Sequence, residues 1–194
     1  MDKAALRSSV RARRRLRSPK EQDEVAGQIA SRAIAFLPAE PCDVTCYVST
    51  PGEPGTGPLI AELLRRGHRA WLPRIVDERL LWVQVGPDSD YAPGPLGIRE
   101  PRGAGRESLD FAEVILMPAL AVDPSGRRLG QGGGYFDRAL STVASLADGG
   151  PVLVALVYDD EVVDQVPTEG HDRLVDAIVT PVRTLRTGRV GNGN

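Results

Sequence analysis

The sequence has 194 residues, of which 41% are hydrophobic and 26% charged, and its net charge is −2. These values are typical of a globular protein of one domain that buries a core without disulfides or metals. They exclude a strongly basic nucleic-acid-binding protein, and no apolar run approaches the roughly 20 residues that span a bilayer. The basic N-terminus lacks the apolar segment of a secretory signal, and Cys42 and Cys46 fit neither a disulfide framework nor a metal site, so we expect a cytoplasmic protein.

The first predicted element is a basic helix over residues 2–17, which are rich in the helix formers Ala, Leu and Arg. Lys3, Arg7 and Arg11 recur every fourth residue and therefore share one face of this helix. A basic stripe of this kind is either a solvated face or a surface that binds nucleic acid, a membrane or a small polyanion.

A second helix is predicted to begin at the N-cap Ser18 and to end before Pro38. A parallel crossover is predicted after it. Residues 43–49 and 69–73 have the composition of strands, and residues 59–66 between them that of a helix. Strand, helix and strand joined by short connections predict two parallel strands of an α/β sheet.

Four more segments are predicted to be strands, and the two most apolar have the pattern of strands buried on both faces. These strands are residues 80–85, 111–118, 151–158 and 177–180. Residues 91–102 and 119–127 are predicted to be irregular, and residues 137–147 helical. We therefore expect residues 1–188 to form one α/β domain, with an open, mostly parallel sheet flanked by helices. Residues 189–194 are expected to be a disordered tail.

Ligands of open α/β sheets bind beyond the carboxyl ends of the strands. Three predicted loops lie there: the loop carrying Glu53, the glycine-rich residues 127–138, and the loop carrying His171 and Asp172. We expect the functional site where these three loops meet.

The glycine-rich segment matches neither a Walker loop nor a dinucleotide fingerprint. Its glycines would let backbone N–H groups approach an anion closely, and Arg127, Arg128 and Arg138 would neutralise the charge of a triphosphate. Asp137 and Asp172 could ligate Mg²⁺, although either could instead be a cap or turn residue. A flexible surface turn is the alternative for the whole segment.

Several other side chains have two interpretations each. Glu53 either binds an amine or ring N–H of a ligand or is an exposed loop acid. Trp82 either stacks on a flat ligand or belongs to the core. Tyr135 and Phe136 either pack or stack, and His171 is either an acid–base group or structural.

The motifs have a fixed order along the chain. Residues 117–137 read Met-Pro and then, from Ala121, Ala-Val-Asp-x-x-Gly-x-Arg-Leu-Gly-x-Gly-x-Gly-Tyr-Phe-Asp. The further pieces are Lys3-x-x-x-Arg7, Tyr47-Val48-Ser49 with Glu53, Leu72-Pro73-Arg74, Gly97-Ile98-x-Glu100-Pro101 and Val166-Pro167-x-Glu169-x-His171-Asp172. Together they resemble the 5-formyltetrahydrofolate cyclo-ligase family over nearly the whole chain. Val122 and Phe136 depart from the usual Phe and Tyr, and residues 11–17 are more basic than the resemblance accounts for.

The resemblance implies conversion of 5-formyltetrahydrofolate to 5,10-methenyltetrahydrofolate with ATP and Mg²⁺, by a monomer with small-molecule substrates and no nucleic-acid or membrane partner. The implied ATP contacts are Lys3, Arg7, Arg128, Leu129, Gly130, Gln131, Gly132, Gly133, Gly134, Tyr135 and Phe136. The implied folate contacts are Val48, Glu53, Gln131, Gly132, Gly133, Gly134 and Tyr135. Asp137 and Asp172 would hold the metal, and Gln131 and Tyr135 would lie where formyl group and γ-phosphate meet.

Two other functions remain open at this point. A related enzyme could act on another folate-like or amide substrate. The loop 49–58 and the region of Trp82 would then bind that substrate, whereas the ATP-binding residues would be the same. A non-catalytic nucleotide- or nucleic-acid-binding module could use the arginine-rich N-terminus. Two metal-binding carboxylates, Asp137 and Asp172, speak against such a module.

Overall fold

The structure, a computed structural model, describes residues 2–167 and 173–187. The helices are α1 (Lys3–Arg15), α2 (Pro19–Phe36), α3 (Gly57–Arg65) and α4 (Tyr135–Leu140), with 3₁₀ turns at Leu146–Asp148 and Asp159–Glu161. The strands are β1 (Asp43–Thr45), β2 (Arg69–Val76), β3 (Arg79–Val85), β4 (Tyr91–Pro93), β5 (Arg99–Pro101), β6 (Gly105–Arg106), β7 (Val114–Pro118), β8 (Ala121–Val122), β9 (Arg128–Leu129), β10 (Val152–Leu156), β11 (Ala177–Val179) and β12 (Thr184–Arg186). Within these ranges no helix has the length and apolarity needed to cross a bilayer.

One eight-stranded sheet has the order β12-β11-β10-β7-β1-β2-β3-β6. The strands from β11 to β2 are parallel to one another, whereas β12, β3 and β6 run antiparallel to their neighbours at the two edges. The prediction of an open, mostly parallel α/β sheet is confirmed. The chain leaves β1 toward β2 on one side and β7 toward β10 on the other. The boundary between β1 and β7 is therefore a topological switch point, where such sheets form a crevice.

The two faces of the sheet bury separate clusters because side chains of a strand alternate between faces. Leu116 of β7 packs on one face with Ile29 of α2 and Leu59 of α3. Ile115 of the same strand packs on the opposite face with Trp82, which is fully buried. Trp82 is therefore a core residue and not a stacking platform.

Helix α1 lies across a small hairpin outside the main sheet. Strands β8 and β9 pair antiparallel, and Leu129 of β9 packs with Leu6 and Val10 of α1. The predicted start of α2 is confirmed, since the Ser18 hydroxyl accepts a hydrogen bond from the Glu21 N–H at 3.2 Å. Because β9 lies at the start of the glycine-rich segment, this packing brings the basic helix beside that segment.

Several predicted elements are shorter in the structure, and two of them differ most. The strand over residues 43–49 ends at Thr45, although the Cys46 N–H still donates to the Trp71 carbonyl at 2.9 Å. The helix over residues 137–147 is only Tyr135–Leu140. Ser, Thr and Val follow it, and these residues have weak helix propensity.

Two segments predicted to be irregular contain short hairpins. Residues 91–102 include β4 and β5, and residues 119–127 include β8. Strands of two or three residues are too short to show the alternation by which a strand is predicted. The edge strands β6 and β12 escaped prediction for the same reason. The predicted domain end at residue 188 and the predicted tail 189–194 lie outside the described residues.

Candidate active site

A pocket opens at the carboxyl ends of β1, β2 and β7, at the switch point of the sheet. Tyr47 and Val48 line it just after β1, Ile75 near the end of β2, and Pro118 at the end of β7. The predicted site residues among its lining are Val48, Glu53, Arg128, Gly130, Gln131, Gly132, Gly133, Gly134, Tyr135, Phe136 and Asp137. The prediction that the loop of Glu53 and the glycine-rich loop meet at this edge is confirmed. The third loop, with His171 and Asp172, lies outside the described residues.

The glycine-rich wall of the pocket is residues 130–134, hereafter the glycine loop. Gly132 and Gly134 have φ of 107° and 68°, a left-handed region that favours glycine. A Cβ on Gly134 would also lie 2.8 Å from Nη1 of Arg138. Within the described part of the chain, the N–H groups of residues 131–134 donate to no acceptor. A run of free backbone N–H groups at the edge of a pocket is suited to an anion such as phosphate.

Helix α1 holds the other side of the glycine loop. The Arg7 Nε donates to the Gly130 carbonyl at 3.0 Å, and the Arg11 Nη2 donates to the Gln131 carbonyl at 2.8 Å. Lys3 lies one turn before Arg7 on the same face of the helix. Arg7 therefore flanks the loop, and neither Lys3 nor Arg7 lines the pocket.

Glu53 is a buried carboxylate and not an exposed loop acid, since only 6% of it is exposed. Its Oε2 accepts the Thr50 N–H at 2.7 Å, and its Oε1 accepts the Gln131 Nε2 at 3.0 Å. The Arg11 Nη2 also donates to the Gln131 Oε1 at 3.2 Å. Arg11, Gln131 and Glu53 thus form a chain of hydrogen bonds that joins helix α1, the glycine loop and the loop after β1.

Asp137 is half-exposed at the pocket, and its Oδ1 accepts a hydrogen bond from the buried Arg128 side chain. An exposed carboxylate next to the glycine loop fits Mg²⁺, which takes one or two carboxylates together with phosphate oxygens and water. No group of three or more His, Cys, Asp or Glu among the described residues forms a complete metal site. Asp137 thus fits a metal shared with a phosphate.

The remaining predicted contacts differ in position. Leu129 is fully buried under α1, so only its backbone is available to a nucleotide. Arg127 pairs with Asp123 at 3.5 Å, and Arg138 donates to the Glu78 carbonyl at 3.0 Å. Neither arginine lines the pocket, and the expectation that they neutralise a triphosphate finds no support in their positions.

The aromatic pair both packs and lines the pocket. Tyr135 and Phe136 are half-buried, and the Phe136 ring meets Trp82 edge to face at 6.0 Å between centroids. Val122 is fully buried in the core and does not line the pocket. The departure from Phe at that position therefore leaves the pocket wall unchanged.

The sequence model of the 5-formyltetrahydrofolate cyclo-ligase family matches residues 1–181. This chain belongs to that family. A 5-formyltetrahydrofolate cyclo-ligase of Mycolicibacterium smegmatis is 40% identical over 152 residues, which cover 73% of this chain and 75% of that protein. The Escherichia coli K12 protein of the same name is 33% identical over 178 residues, 89% of this chain and 96% of its own. The NMR structure of Aquifex aeolicus 5,10-methenyltetrahydrofolate synthetase superposes with a TM-score of 0.82 at 28% identity, covering 100% of this chain and 96% of that one.

Two pocket residues of this family member had no role assigned from the sequence. The Tyr47 hydroxyl is buried and has no hydrogen-bond partner among the described residues, and burial raises the pKa of Tyr47 well above its ordinary value. Glu100 is also buried, with its Oε2 accepting the Ile75 N–H at 3.3 Å, and burial raises its pKa although that bond opposes the shift. Orphaned or weakly paired polar groups in a pocket are available to a ligand. The only sequence signals were Tyr47 beside Val48 and Glu100 in the Gly-Ile-x-Glu-Pro motif.

The surplus arginines of α1 anchor this helix. The Arg14 guanidinium donates to both oxygens of Glu161 at 2.7 and 2.8 Å, and to the Ala119 carbonyl at 2.7 Å. Arg13 and Arg17 pair with Asp160 next to it. These contacts fix the C-terminal half of α1 to the turn after β10, so the helix is placed at both ends.

Proposed function

We propose that this chain catalyses the ATP-dependent cyclisation of 5-formyltetrahydrofolate to 5,10-methenyltetrahydrofolate, with release of ADP and phosphate. Membership of the cyclo-ligase family supports this reaction. One observation carries the proposal within the molecule: the glycine loop, with its free N–H groups, and the buried Glu53 belong to the same pocket. A phosphate and a folate ring would therefore share one boundary.

The chemistry requires that the formyl oxygen become a leaving group. Transfer of the γ-phosphoryl group to that oxygen activates the formyl carbon. N10 then attacks this carbon, loses its proton, and the oxygen departs as phosphate, which leaves the cationic methenyl product. The protein has to align two substrates and neutralise charge, and it needs no covalent nucleophile.

The residues divide into two sets in this proposal. The N–H groups of residues 131–134 would hold the γ-phosphate, with Lys3 and Arg7 adding positive charge from behind the loop. Val48 would pack against the pterin, and Glu53 would accept its N–H groups, since a carboxylate oxygen accepts more than one hydrogen bond. Gln131, already bonded to Glu53, and Tyr135 would lie at the junction of the two substrates.

We infer that Mg²⁺ accompanies ATP, held by Asp137 and by Asp172, which lies outside the described residues. The metal would neutralise phosphate charge during transfer. The exposed position of Asp137 beside the glycine loop supports this role, and Arg128 would keep its carboxylate oriented. Mn²⁺ and a non-hydrolysable ATP analogue provide a test without turnover: Asp137→Asn should weaken Mn²⁺ binding by electron paramagnetic resonance. Asp110→Asn, an exposed acid outside the pocket, is the control, and equal binding by both variants would remove Asp137 from the metal site.

We also infer a monomeric cytoplasmic enzyme that acts on small molecules and binds neither nucleic acid nor membranes. Two observations support the compartment and the lack of a nucleic-acid partner: Cys42 and Cys46 are buried free thiols, and carboxylates neutralise Arg13 and Arg14 of α1 and Arg17 just after it. Size-exclusion chromatography with light scattering should give the mass of one chain. A stable dimer or co-elution with nucleic acid would contradict the inference.

The reaction is tested by mixing the purified protein with 5-formyltetrahydrofolate, ATP and Mg²⁺ and following the absorbance of the methenyl product. We expect product only when all three are present, with one ADP released per product. ATP binding without product would favour a different folate-like or amide substrate. Absence of both ATP turnover and ATP binding would favour a module of another kind.

A further inference from the structure

A second groove adjoins the proposed active site on the side of α1. Arg11, Arg15 and Gln22 line it, together with Thr50, Leu96 and Gln131, which also line the pocket or contact Glu53. The groove is therefore continuous with the pocket. Arg14 also lines it, and no Asp or Glu does so among the described residues. Because Glu161 neutralises Arg14, the positive charge of the groove comes from Arg11 and Arg15.

Arg11 and Arg15 differ from the other arginines in and just after the C-terminal half of this helix. Arg13, Arg14 and Arg17 each pair with Asp160 or Glu161, whereas Arg11 and Arg15 form no ion pair with a described residue. Arg15 is exposed, and Arg11 uses only its Nη2, on Gln131. Two guanidinium groups thus bring uncompensated positive charge to one groove.

The borders of the groove favour the folate side of the site over the phosphate side. Residues 50–52, from the loop that carries Glu53, form one border, and Leu96 from the apolar pocket wall forms another. Of residues 131–134, whose N–H groups suit phosphate, Gln131 lines it, whereas Gly132, Gly133 and Gly134 do not. A ligand that extends from the pocket into the groove would place a ring against the apolar pocket wall and a negatively charged group beside the arginines.

We propose that Arg11 and Arg15 bind the glutamate carboxylates of the folate substrate, so that this groove is the subsite for the anionic tail. The proposal rests on the proposed function, since it assigns the tail of the same substrate. The guanidinium group suits the role because it binds carboxylates bidentately. Arg11 also donates to Gln131, so it connects tail binding to the Gln131–Glu53 contact.

The test compares three folates that share the reacting atoms: 5-formyltetrahydropteroate, which has no glutamate, and its mono- and triglutamate forms. The variants are Arg15→Gln and Arg11→Gln/Arg15→Gln. Arg65→Gln removes one exposed charge from α3, outside the groove, and is the matched control. Circular dichroism melts establish that every variant is folded.

An exposed charged contact changes an affinity by about threefold, so the double variant should raise the triglutamate KM about tenfold. Arg15→Gln should raise it about threefold. In Arg15→Gln the pteroate KM and the ATP KM should change less than about twofold, because neither ligand has a glutamate carboxylate. In the double variant, where loss of the Arg11–Gln131 bonds can affect every folate, the expected result is an increase in the ratio of the triglutamate KM to the pteroate KM. The tail-dependent difference should shrink at high salt.

Three results would overturn the assignment. They are an equal KM increase for all three folates, an increase in the ATP KM alone, and a triglutamate KM that matches the Arg65→Gln control. The second would mean that the arginine stripe of α1 serves ATP phosphates along its whole length. Failure of the proposed function would look different, since the unmodified protein would then turn over none of the three folates.

Discussion

Removal of Glu161 should destabilise the fold strongly, because it would leave the buried Arg14 guanidinium without a charged partner. Glu161 and Arg14 are 1% and 5% exposed, and two hydrogen bonds of 2.7 and 2.8 Å join them. In Glu161→Ala, Arg14 keeps only the Ala119 carbonyl. Breaking a buried ion pair from one side typically costs about 3–5 kcal/mol. For a chain of this size that is roughly a 10 °C decrease in Tm.

The exposed pair Arg65–Glu62 is the matched control, since it has the same bidentate geometry with both bonds at 2.6 Å. Chemical denaturation and thermal melts of Glu161→Ala and Glu62→Ala measure the difference that burial makes. We expect a large decrease in the free energy of unfolding for the first variant and no resolvable change for the second.

A double variant separates loss of the pair from loss of packing. In Arg14→Met/Glu161→Met, apolar side chains fill the site and no charge is stranded, so stability should return to within about 1–2 kcal/mol of the unmodified protein. A Glu161→Ala variant as stable as Glu62→Ala would refute the reasoning. So would a double variant less stable than Glu161→Ala.

Two further predictions concern buried carboxylates. Burial alone would raise the pKa of Asp123, but hydrogen bonds from Ser125, Val166 and Arg127 lower it below its ordinary value. The ionised form therefore stabilises the fold at neutral pH, and this contribution is lost as pH falls below about 4. The unfolding free energies of the unmodified protein and Asp123→Asn should differ at pH 7 and converge toward pH 3, and a constant difference would contradict this account. Glu53→Gln should raise the folate KM about tenfold or more by weakening a charged hydrogen bond, with the ATP KM nearly unchanged; the opposite pattern in steady-state kinetics would move Glu53 out of the folate pocket.

The parallel centre of the sheet was predictable because its strands are apolar enough for each to be recognised from its own residues. Residues 111–118 and 151–158 are nearly continuous apolar runs and contain the neighbouring strands β7 and β10. The short hairpins were not predictable, since two paired residues such as β9 leave no periodic signal. The hairpin of β8 and β9 determines where the glycine loop starts. The sequence therefore showed that the loop is rich in glycine but did not predict its orientation.

Those site residues that belong to a sequence motif could be predicted. Those whose role depends on tertiary contacts could not. Glycines, Glu53 and Asp137 stood out in the sequence and line one pocket. The pairing of Arg14 with Glu161 joins positions far apart in the chain, and no sequence pattern indicated it. No sequence pattern indicated the hydrogen bond between Gln131 and Glu53 either, because it joins two loops that are far apart in the chain.

The central claim is that the γ-phosphate and the folate meet at the glycine loop, so that the formyl oxygen leaves as part of the released phosphate. It is tested most directly with 5-formyltetrahydrofolate labelled with ¹⁸O in the formyl group, converted by the protein with unlabelled ATP and Mg²⁺. Mass spectrometry of the released phosphate should find one ¹⁸O atom for each methenyl product formed. Label that appears in water, with unlabelled phosphate, would mean that ATP is hydrolysed separately and would contradict the account.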